Sequence, residues 1–341
     1  MTRDAWAASA SFARTERAPG PSRTSHVDSF VAGEAWLARH GDGAAVMPHH
    51  DADGLSAGVL LARRSGGPTL HVESPWDRPL AVKGTVILAD WGVRPVEGPS
   101  EVLYVDHHAD PEPVPGTVVL PPAGRDSSTS LVAWKLLGQP ATGAWLGALG
   151  AVGDLGVEAL KRPEVPPVGS ARALGKLAAL VTAPGRLRDG PVSIAAEILA
   201  SAGDEYEAMR DPRMSELEAA LAAVNQMRRS ALRIPPQVGP DAALIRFSEP
   251  ARVHPLVAAA WSRRLAPRVV IAANDGWREG KVSFAVRCAA DRDLRAWLLA
   301  SWTPPPGSGD YARGHRLATG GSLVPEAFEL FSAAVLSRVA A

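Results

Sequence analysis

The stretch 47-MPHHDADGLSAGVLLARR-64 contains two His and two Asp within five positions, followed at once by apolar residues at helical spacing. An apolar run rich in β-branched residues precedes it, so the polar cluster stands between a predicted strand and a predicted helix. An Asp-Gly pair favours a turn and helix start, whereas clustered His and Asp are metal ligands. The stretch therefore decides the local fold, and leaves open whether the cluster is a capped turn or a metal site.

The same alternation continues outward from this stretch. Short apolar runs such as GTVILAD (84–90) and EVLYVD (101–106) are separated by helical patterns. Continuously apolar strands that alternate with helices predict an α/β fold with a mostly parallel sheet and helices on both faces. Between about 163 and 240 helical patterns dominate, and strand patterns return after that segment.

The length of 341 residues suits two domains rather than one. We predict a flexible tail at 1–25, an N-terminal α/β domain that carries the chemistry at 26–190, a helical connector at 191–238, and a smaller C-terminal α/β domain at 239–341. The connector and the closing helix are candidates for a homodimer interface.

Composition excludes several classes of function. The chain has 36 basic and 36 acidic residues, so a polyanion must be bound by a local patch, and tight binding to long duplex DNA is disfavoured. The single Cys288 excludes an internal disulfide and a Cys-based zinc finger. No apolar stretch approaches the roughly 20 residues of a membrane span, and the N-terminus lacks the apolar core of a signal peptide. We expect a cytoplasmic protein without a membrane partner.

Polar clusters follow three of the predicted strands. In an open α/β sheet, the loops at the carboxyl ends of the strands line one crevice, so these residues are expected to converge. A fourth acid follows a helix rich in small residues. The clusters are His49 to Asp53, Asp90, and Asp106 to His108, and the fourth acid is Asp154.

Carboxylates gathered at short range repel one another, and a divalent cation relieves the repulsion. Mixed imidazole and oxygen ligands favour Mn²⁺, with Mg²⁺ or Co²⁺ as alternatives. Enough ligands are present for two ions that share one Asp, an arrangement that activates water in phosphoester hydrolysis.

These residues carry a resemblance to a known family. The segments HHDADGLSAG, LADWG, VDHH and GAVGDLG are similar in order and approximate spacing to the four motifs of the DHH phosphoesterases. That family includes RecJ-like nucleases, NrnA-like oligoribonucleases, cyclic dinucleotide phosphodiesterases and family II pyrophosphatases. Farther along, GKVSFAVRCAADRDL and GHRLATGG resemble the DHHA1 substrate-binding domain, with its Ser and Arg strand and its Gly-His and Gly-Gly loop.

The resemblance implies a specific set of metal ligands and neighbours. One ion would be held by His49, Asp51 and Asp90, and the second by Asp53, Asp90, His107 and Asp154. His50 is adjacent to His49 and remains an alternative to it. We expect Asp106 to orient an imidazole, and His108 to face the scissile phosphate.

Substrate contacts are predicted in the C-terminal domain. Ser283 and Arg287 lie at strand spacing on one face, where Arg287 can bind a phosphate with two hydrogen bonds. Arg313 stands where the family has a longer glycine run, and can replace backbone contacts there. The segment RDSSTS (125–130) offers either a phosphate site at a helix N-terminus or a simple helix cap. The remaining predicted substrate contacts are His315, Gly320 and Gly321.

The predicted function is a Mn²⁺-dependent exonuclease that removes mononucleotides from short single-stranded RNA or DNA, in the family's usual 5′ to 3′ direction. One alternative is a phosphatase or phosphodiesterase for 3′-phosphoadenosine 5′-phosphate or cyclic dinucleotides. Another is a RecJ-like nuclease that acts on longer single-stranded DNA. From a different class comes a sensor that binds nucleotides without turnover. The preference between RNA and DNA stays open, because recognition of the 2′-OH depends on contacts that the sequence does not locate.

Overall fold

The computed structural model of the chain describes residues 26–64, 70–72, 83–108, 112–122 and 127–338, without the side chains of 26–28 and 315. The predicted tail at 1–25 lies outside these residues. Within them, no helix has the length and apolar character needed to cross a membrane.

The N-terminal part is built on a four-stranded parallel sheet, so the predicted fold class is confirmed. The strands are adjacent in chain order, β1-β2-β3-β4. Four helices accompany the sheet. The bounds are α1 His26–His40, β1 Ala45–Pro48, α2 Ala52–Arg64, β2 Gly84–Ala89, β3 Pro99–Val105, β4 Thr117–Val119, α3 Thr129–Leu136 and α4 Ala144–Leu155.

Alternate residues of the strands enter two cores, as the two-residue period of a strand requires. Ile87 and Leu103 belong to the larger core, in which the sheet packs against α1 to α4. Leu88 and Tyr104, one position farther along, enter a smaller core on the opposite face with loop residues such as Val93. The sheet is therefore buried on both faces, which explains its continuously apolar strands.

A helical segment follows the first sheet, as predicted. Residues of α5 and α6 belong to the same core as α2 and α4, so the start of this segment packs on the N-terminal domain. The longest of these helices, Met214–Ala231, is buried along one side and has the basic residues Arg228 and Arg229 in its last turn. The bounds are α5 Ala171–Thr182, α6 Val192–Ser201, α7 Glu205–Arg210 and α8 Met214–Ala231.

The C-terminal part is a six-stranded mixed sheet in the order β5-β6-β7-β8-β10-β9. Strands β6 and β7 are parallel and joined by α9, while the other pairs are antiparallel. The bounds are β5 Gln237–Val238, β6 Ala242–Phe247, α9 His254–Arg264, β7 Val269–Arg278, β8 Lys281–Arg287, α10 Leu294–Ser301, β9 Gly309–His315, β10 Ala318–Leu323 and α11 Pro325–Ser337.

The expectation of a glycine-rich loop around GHRLATGG was wrong, because this segment is a β-hairpin made of β9 and β10. Gly320 pairs with Ala285 and Gly321 with Phe284 of β8. A Cβ at Gly320 would collide with the carbonyl oxygen of Phe284, and one at Gly321 with the carbonyl oxygen of Asp310. The two glycines thus permit close strand packing. In the sequence, glycines at these positions are equally compatible with a flexible loop.

Backbone hydrogen bonds join the helical segment to the C-terminal domain. Leu187 and Ala251 form an antiparallel bridge, and the amide of Arg252 donates to the carbonyl of Arg186 at 2.8 Å. The guanidinium of Arg188 donates to the carbonyl of Trp277 at 2.8 Å. This junction lies next to the polar cluster described below.

Candidate metal centre

The polar residues predicted at strand ends are brought together by the parallel sheet. Strands β1, β2 and β3 are neighbours that run in the same direction, and His49, Asp90 and His107 follow their carboxyl ends. Asp90 connects the other two residues. Its Oδ2 lies 3.6 Å from Nδ1 of His49, and its Oδ1 lies 3.3 Å from Nε2 of His107.

The first predicted ligand group is compact. Nδ1 of His49 lies 2.9 Å from Oδ2 of Asp51, and these two residues with Asp90 offer ligand atoms that all lie within 4.8 Å of one another. The other carboxylate oxygen of Asp51 accepts the amide of Gly54 at 3.0 Å, which caps the start of α2. The capped turn and the ligand group are therefore formed by the same residues.

The structure also separates the two adjacent histidines. His49 is in the ligand group, whereas His50 is buried at 2% exposure and lies outside it. The indole of Trp91 packs edge-on against both rings and donates its Nε1 hydrogen to the carbonyl of Met47 at 3.0 Å. This geometry favours His49 over His50 as a ligand.

The second predicted group surrounds the ring of His107. Its Nε2 lies 3.8 Å from Oδ2 of Asp53, and its Nδ1 lies 3.8 Å from Oδ2 of Asp154. Asp53 is on the first turn of α2, and Asp154 is in the last turn of α4 rather than after that helix. Helices α2 and α4 pack closely because Gly150 of α4 leaves room for the carboxylate of Asp53.

Asp90 has an unusual backbone for its position between the two groups. Its φ angle is 71°, in the left-handed region that costs an L-residue about 1 to 2 kcal/mol. Its amide donates to the carbonyl of Val105 at 3.1 Å, which anchors the turn after β2. A strained residue that is held in this way is typical of a functional position.

The N-terminus of α3 binds carboxylates of the cluster, a role that sequence reasoning missed. The amides of Thr129 and Ser130 donate to the two oxygens of Asp53 at 2.7 and 2.9 Å. The hydroxyl of Thr129 donates to Oδ1 of Asp90 at 2.8 Å, while Ser128 caps the helix by accepting the amide of Leu131 at 3.4 Å. The phosphate site considered for RDSSTS is wrong for these amides, because they are already used; Arg125 and Asp126 lie outside the described residues.

Asp106 holds the neighbouring imidazole, as expected of it. Its Oδ1 accepts from both the amide and Nδ1 of His108, at 2.7 and 2.8 Å, and its Oδ2 accepts the amide of Gly92 at 2.7 Å. Burial would lower the pKa of His108, but the hydrogen bond and the charge of Asp106 raise it to about 9. The ring of His108 therefore favours its protonated form.

The electrostatics of the cluster show an excess of negative charge. Burial and the charge of Asp90 raise the pKa of Asp53 to about 8, and burial raises that of Asp154 to about 6, with repulsion from Asp90 adding to it. Burial would lower the pKa of His107, but the hydrogen bond and charge of Asp90 raise it to about 11. Within the described residues, two groups of three potential ligands have ligand atoms within 4.8 Å of one another: His49, Asp51 and Asp90, and Asp90, His107 and His108. Asp53 and Asp154 lie beside the second group but are not in it. The oxygen and nitrogen donors fit one or two divalent cations.

Most predicted substrate contacts lie in the C-terminal domain. Oγ of Ser283 is 3.0 Å from Oγ of Ser322 across the sheet, and Arg287 donates to the carbonyl of Val286 at 2.8 Å. Arg313 forms an ion pair at 2.9 Å with Glu112 of the N-terminal domain. The side chain of His315 lies outside the described residues, and Gly320 and Gly321 pair with β8 as described above.

A group of half-buried arginines near Asp51, made of Arg186, Arg252 and Arg287, was not predicted apart from Arg287. Burial and the charge of Arg186 lower the pKa of both Arg252 and Arg287 to about 10. Asp51 interacts electrostatically with Arg186 and Arg252. Burial and the charge of Arg252 hold the pKa of His254, at the start of α9, well below its usual value. This arginine group would gain from binding an anion.

Solved structures share this fold. The exonuclease RecJ bound to manganese matches with a TM-score of 0.60 and 23% identity, over 90% of this chain and 93% of that chain. RecJ from Thermus thermophilus in complex with Mn²⁺ matches with a TM-score of 0.62 and 21% identity, over 92% of this chain but 54% of that one. The same protein in complex with Mg²⁺ also matches.

A third protein, the pGpG-specific phosphodiesterase PggH from Vibrio cholerae, matches with a TM-score of 0.50 and 17% identity, over 86% of this chain and 97% of that chain. No family model matches the sequence, and no curated protein matches it. The matches to solved structures show the fold: the chain shares the fold of the exonuclease RecJ over 90% of its length.

Proposed function

We propose that this protein is a Mn²⁺-dependent phosphodiesterase that hydrolyses short single-stranded oligonucleotides to mononucleotides from the 5′ end. The observation that carries the proposal is the cluster of four carboxylates and two imidazoles at the carboxyl ends of β1 to β3. No core-packing or capping role requires six such groups in one place, and their negative charge is compensated best by cations.

We assign the ligands as the resemblance implied them. His49, Asp51 and Asp90 would hold one ion, and Asp53, Asp90, His107 and Asp154 the other, because each oxygen of Asp90 faces one group. Bound ions of this kind polarise a phosphoryl oxygen and activate water. Imidazole among oxygen ligands favours Mn²⁺ over Mg²⁺, and RecJ structures contain either metal.

The remaining groups have roles in binding the substrate and in stabilising developing charge. Asp106 orients His108, which would donate a hydrogen bond to a phosphate oxygen as negative charge develops. On the other side of the junction, the arginine group of Arg186, Arg252 and Arg287 binds the substrate's terminal phosphate. The weaker candidates for substrate contact are Ser283, Arg313, His315, Gly320 and Gly321.

The distribution of charge in the protein favours a short substrate. The arginine group is half-buried and local, and the whole chain has no net positive charge to attract a long polyanion. A short substrate with one terminal phosphate fits this distribution. The fold is also shared with PggH, which is named a pGpG-specific phosphodiesterase.

A second candidate is a RecJ-like exonuclease on longer single-stranded DNA. It is favoured by the fold match to RecJ, which covers 90% of this chain. The phosphatase for 3′-phosphoadenosine 5′-phosphate, the cyclic dinucleotide phosphodiesterase and the nucleotide sensor are further outcomes of the same test.

The test gives the purified protein with Mn²⁺ to a panel of labelled substrates. The panel contains 2-mer, 5-mer and long single-stranded RNA and DNA, a cyclic dinucleotide and 3′-phosphoadenosine 5′-phosphate, with D90A as the control. We expect mononucleotides to be released one at a time from the 5′ end, fastest from the 2-mer and 5-mer, and no release by D90A.

Other outcomes assign the alternatives. Preference for the long DNA would favour the RecJ-like candidate, and cleavage of the small nucleotides alone would favour the phosphatase or the cyclic dinucleotide enzyme. Binding without any cleavage would favour the sensor and reject the proposed enzyme.

A further inference from the structure

Thr129 forms hydrogen bonds with two carboxylates that come from different parts of the chain. Its amide donates to Oδ2 of Asp53 at 2.7 Å, and its hydroxyl donates to Oδ1 of Asp90 at 2.8 Å. Thr129 is fully buried. Asp53 belongs to α2 and Asp90 follows β2, so no short covalent connection sets the distance between them. The two bonds of Thr129 do so instead.

Capping of α3 does not require the hydroxyl of Thr129. Thr129 is the first residue of α3, and the cap is supplied by Ser128, whose hydroxyl accepts the amide of Leu131. Any residue except proline would supply the amide that Asp53 accepts. A valine of the same shape would fill the buried position equally well, so the hydroxyl serves Asp90.

Asp90 needs such a restraint more than its neighbours do. Its backbone occupies the left-handed region at a φ of 71°, and its side chain lies close to the carboxylate of Asp53, which repels it. Without the hydroxyl, the carboxylate of Asp90 can rotate away from both Asp53 and His107. Each carboxylate oxygen has two lone pairs, so Oδ1 of Asp90 can accept from Thr129 and still bind a cation.

We propose that Thr129 is a positioning residue that ties Asp53 to Asp90 and so sets the geometry of the cation site that these two carboxylates share with His107. The inference rests on the metal ligands assigned in the proposed function. It adds a residue outside the ligand set, one that contacts no ion and acts through two ligands.

The experiment compares T129V with T129S in the full chain. T129V keeps the shape and the amide but loses the hydroxyl, whereas T129S keeps the hydroxyl. T182V is a matched control, because the hydroxyl of Thr182 accepts the amide of Ala52 at 3.1 Å at the start of α2 and, among the described residues, has no hydrogen bond to a carboxylate. Titration with MnCl₂ by calorimetry gives the affinity and the number of ions, and needs no substrate.

We expect T129V to bind one Mn²⁺ roughly 10- to 100-fold more weakly than the wild type, which is the usual effect of losing a group that orients a ligand. T129S should restore the affinity to within about threefold, and T182V should leave it unchanged within the same margin. T129A, which loses the hydroxyl and some packing, should behave like T129V and replaces it if T129V does not fold.

Wild-type affinity for every Mn²⁺ in T129V or T129A would overturn the inference, as would failure of T129S to restore binding. Weak metal binding in T129V with no nuclease activity in the wild type would support the role of Thr129 and reject the proposed function. Absence of Mn²⁺ binding by the wild type would reject the metal site, and Thr129's role with it.

Discussion

The two sides of the domain junction have excess charge of opposite sign. On the N-terminal side, burial and the charge of Asp90 raise the pKa of Asp53 to about 8. On the other side, burial and neighbouring arginines lower the pKa of Arg252 and Arg287 to about 10. The proposed cations would relieve the first side and an anion the second, and the proposed phosphoester substrate with its metal ions would supply both.

The largest expected effect comes from breaking the N-terminal side at Asp90. D90A removes the carboxylate that faces both ligand groups, and should lower turnover by about a thousandfold or more, since charge stabilisation at the reacting centre is lost. Calorimetry with Mn²⁺ should show that at least one ion no longer binds. Retained activity or unchanged metal binding would remove Asp90 from the bridging position.

The next prediction concerns the close packing of α4 against α2 beside the carboxylate of Asp53. A Cβ at Gly150 would lie 2.6 Å from Oδ1 of Asp53 and still closer to Oγ of Ser130, so G150A should cost about 3 kcal/mol of stability and weaken Mn²⁺ binding. G147A is the matched control on the same helix, because its Cβ would approach nothing nearer than Trp134 at 3.5 Å.

Chemical denaturation and metal titration measure both variants. G147A should be as stable as the wild type, or more stable by up to about 1 kcal/mol, because alanine favours the helix. Equal behaviour of the two variants would show that the space beside Asp53 is unimportant.

A smaller effect tests the arginine side. R287Q removes one charge from the arginine group, and should raise KM for a 5′-phosphorylated dinucleotide by about 30-fold while kcat changes little, the pattern of lost ground-state binding. The substrate-free protein should be no less stable than the wild type, because repulsion from Arg186 is relieved. Steady-state kinetics and denaturation give these values, with the exposed Arg263 as R263Q for the control.

An unchanged KM in R287Q would exclude Arg287 from substrate binding. A KM raised equally by R263Q would indicate general charge attraction instead of a specific site.

The smallest effect concerns Asp241 in the C-terminal domain, a carboxylate whose charge is balanced by an arginine. Asp241 accepts from Arg292 at 2.7 and 2.9 Å and from the indole of Trp297 at 2.9 Å, and the hydrogen bond from Arg292 lowers its pKa below the ordinary 3.8. D241N should lose about 1.5 kcal/mol of stability at pH 7 and leave KM unchanged.

The pH dependence of that loss follows from the lowered pKa of Asp241. The contribution of Asp241 is complete above the pKa of 3.8 in the unfolded chain, and disappears as the pH falls through the lower value in the folded protein. The difference between D241N and the wild type should therefore be constant from pH 7 to about 5 and shrink only below about pH 4. A difference that shrinks already above pH 5 would contradict the ion pair.

Much of the N-terminal site could be predicted because its residues follow strands. Parallel neighbouring strands end at one edge, so His49, Asp90 and His107 converge whatever loops connect them. The contribution of α3 could not be predicted in this way. Backbone amides carry no sequence signal, and the pattern around Thr129 was equally typical of a helix cap.

The arginine side was predicted only at Arg287, where a motif marked it. Arg186 and Arg252 are two among 36 basic residues and lie far apart in the chain. They become neighbours through the backbone hydrogen bond between them. The hairpin of β9 and β10 was missed for a different reason: glycine has a low strand propensity, and only the adjacent β8 shows why no side chain fits at Gly320.

The sequence by itself determined the α/β class, the order of strands and helices, and the chemical identity of the acidic and imidazole cluster, because these depend on periodicity and on residues near one another in the chain. The tertiary structure decided which atoms face each other. It placed His49 rather than His50 in a group with Asp51 and Asp90, gave Asp90 two partners, and placed half-buried arginines near Asp51. Such pairings depend on how distant segments pack together. That packing sets the distances of a few ångströms between charged groups, and the strength of charge interactions depends on these distances.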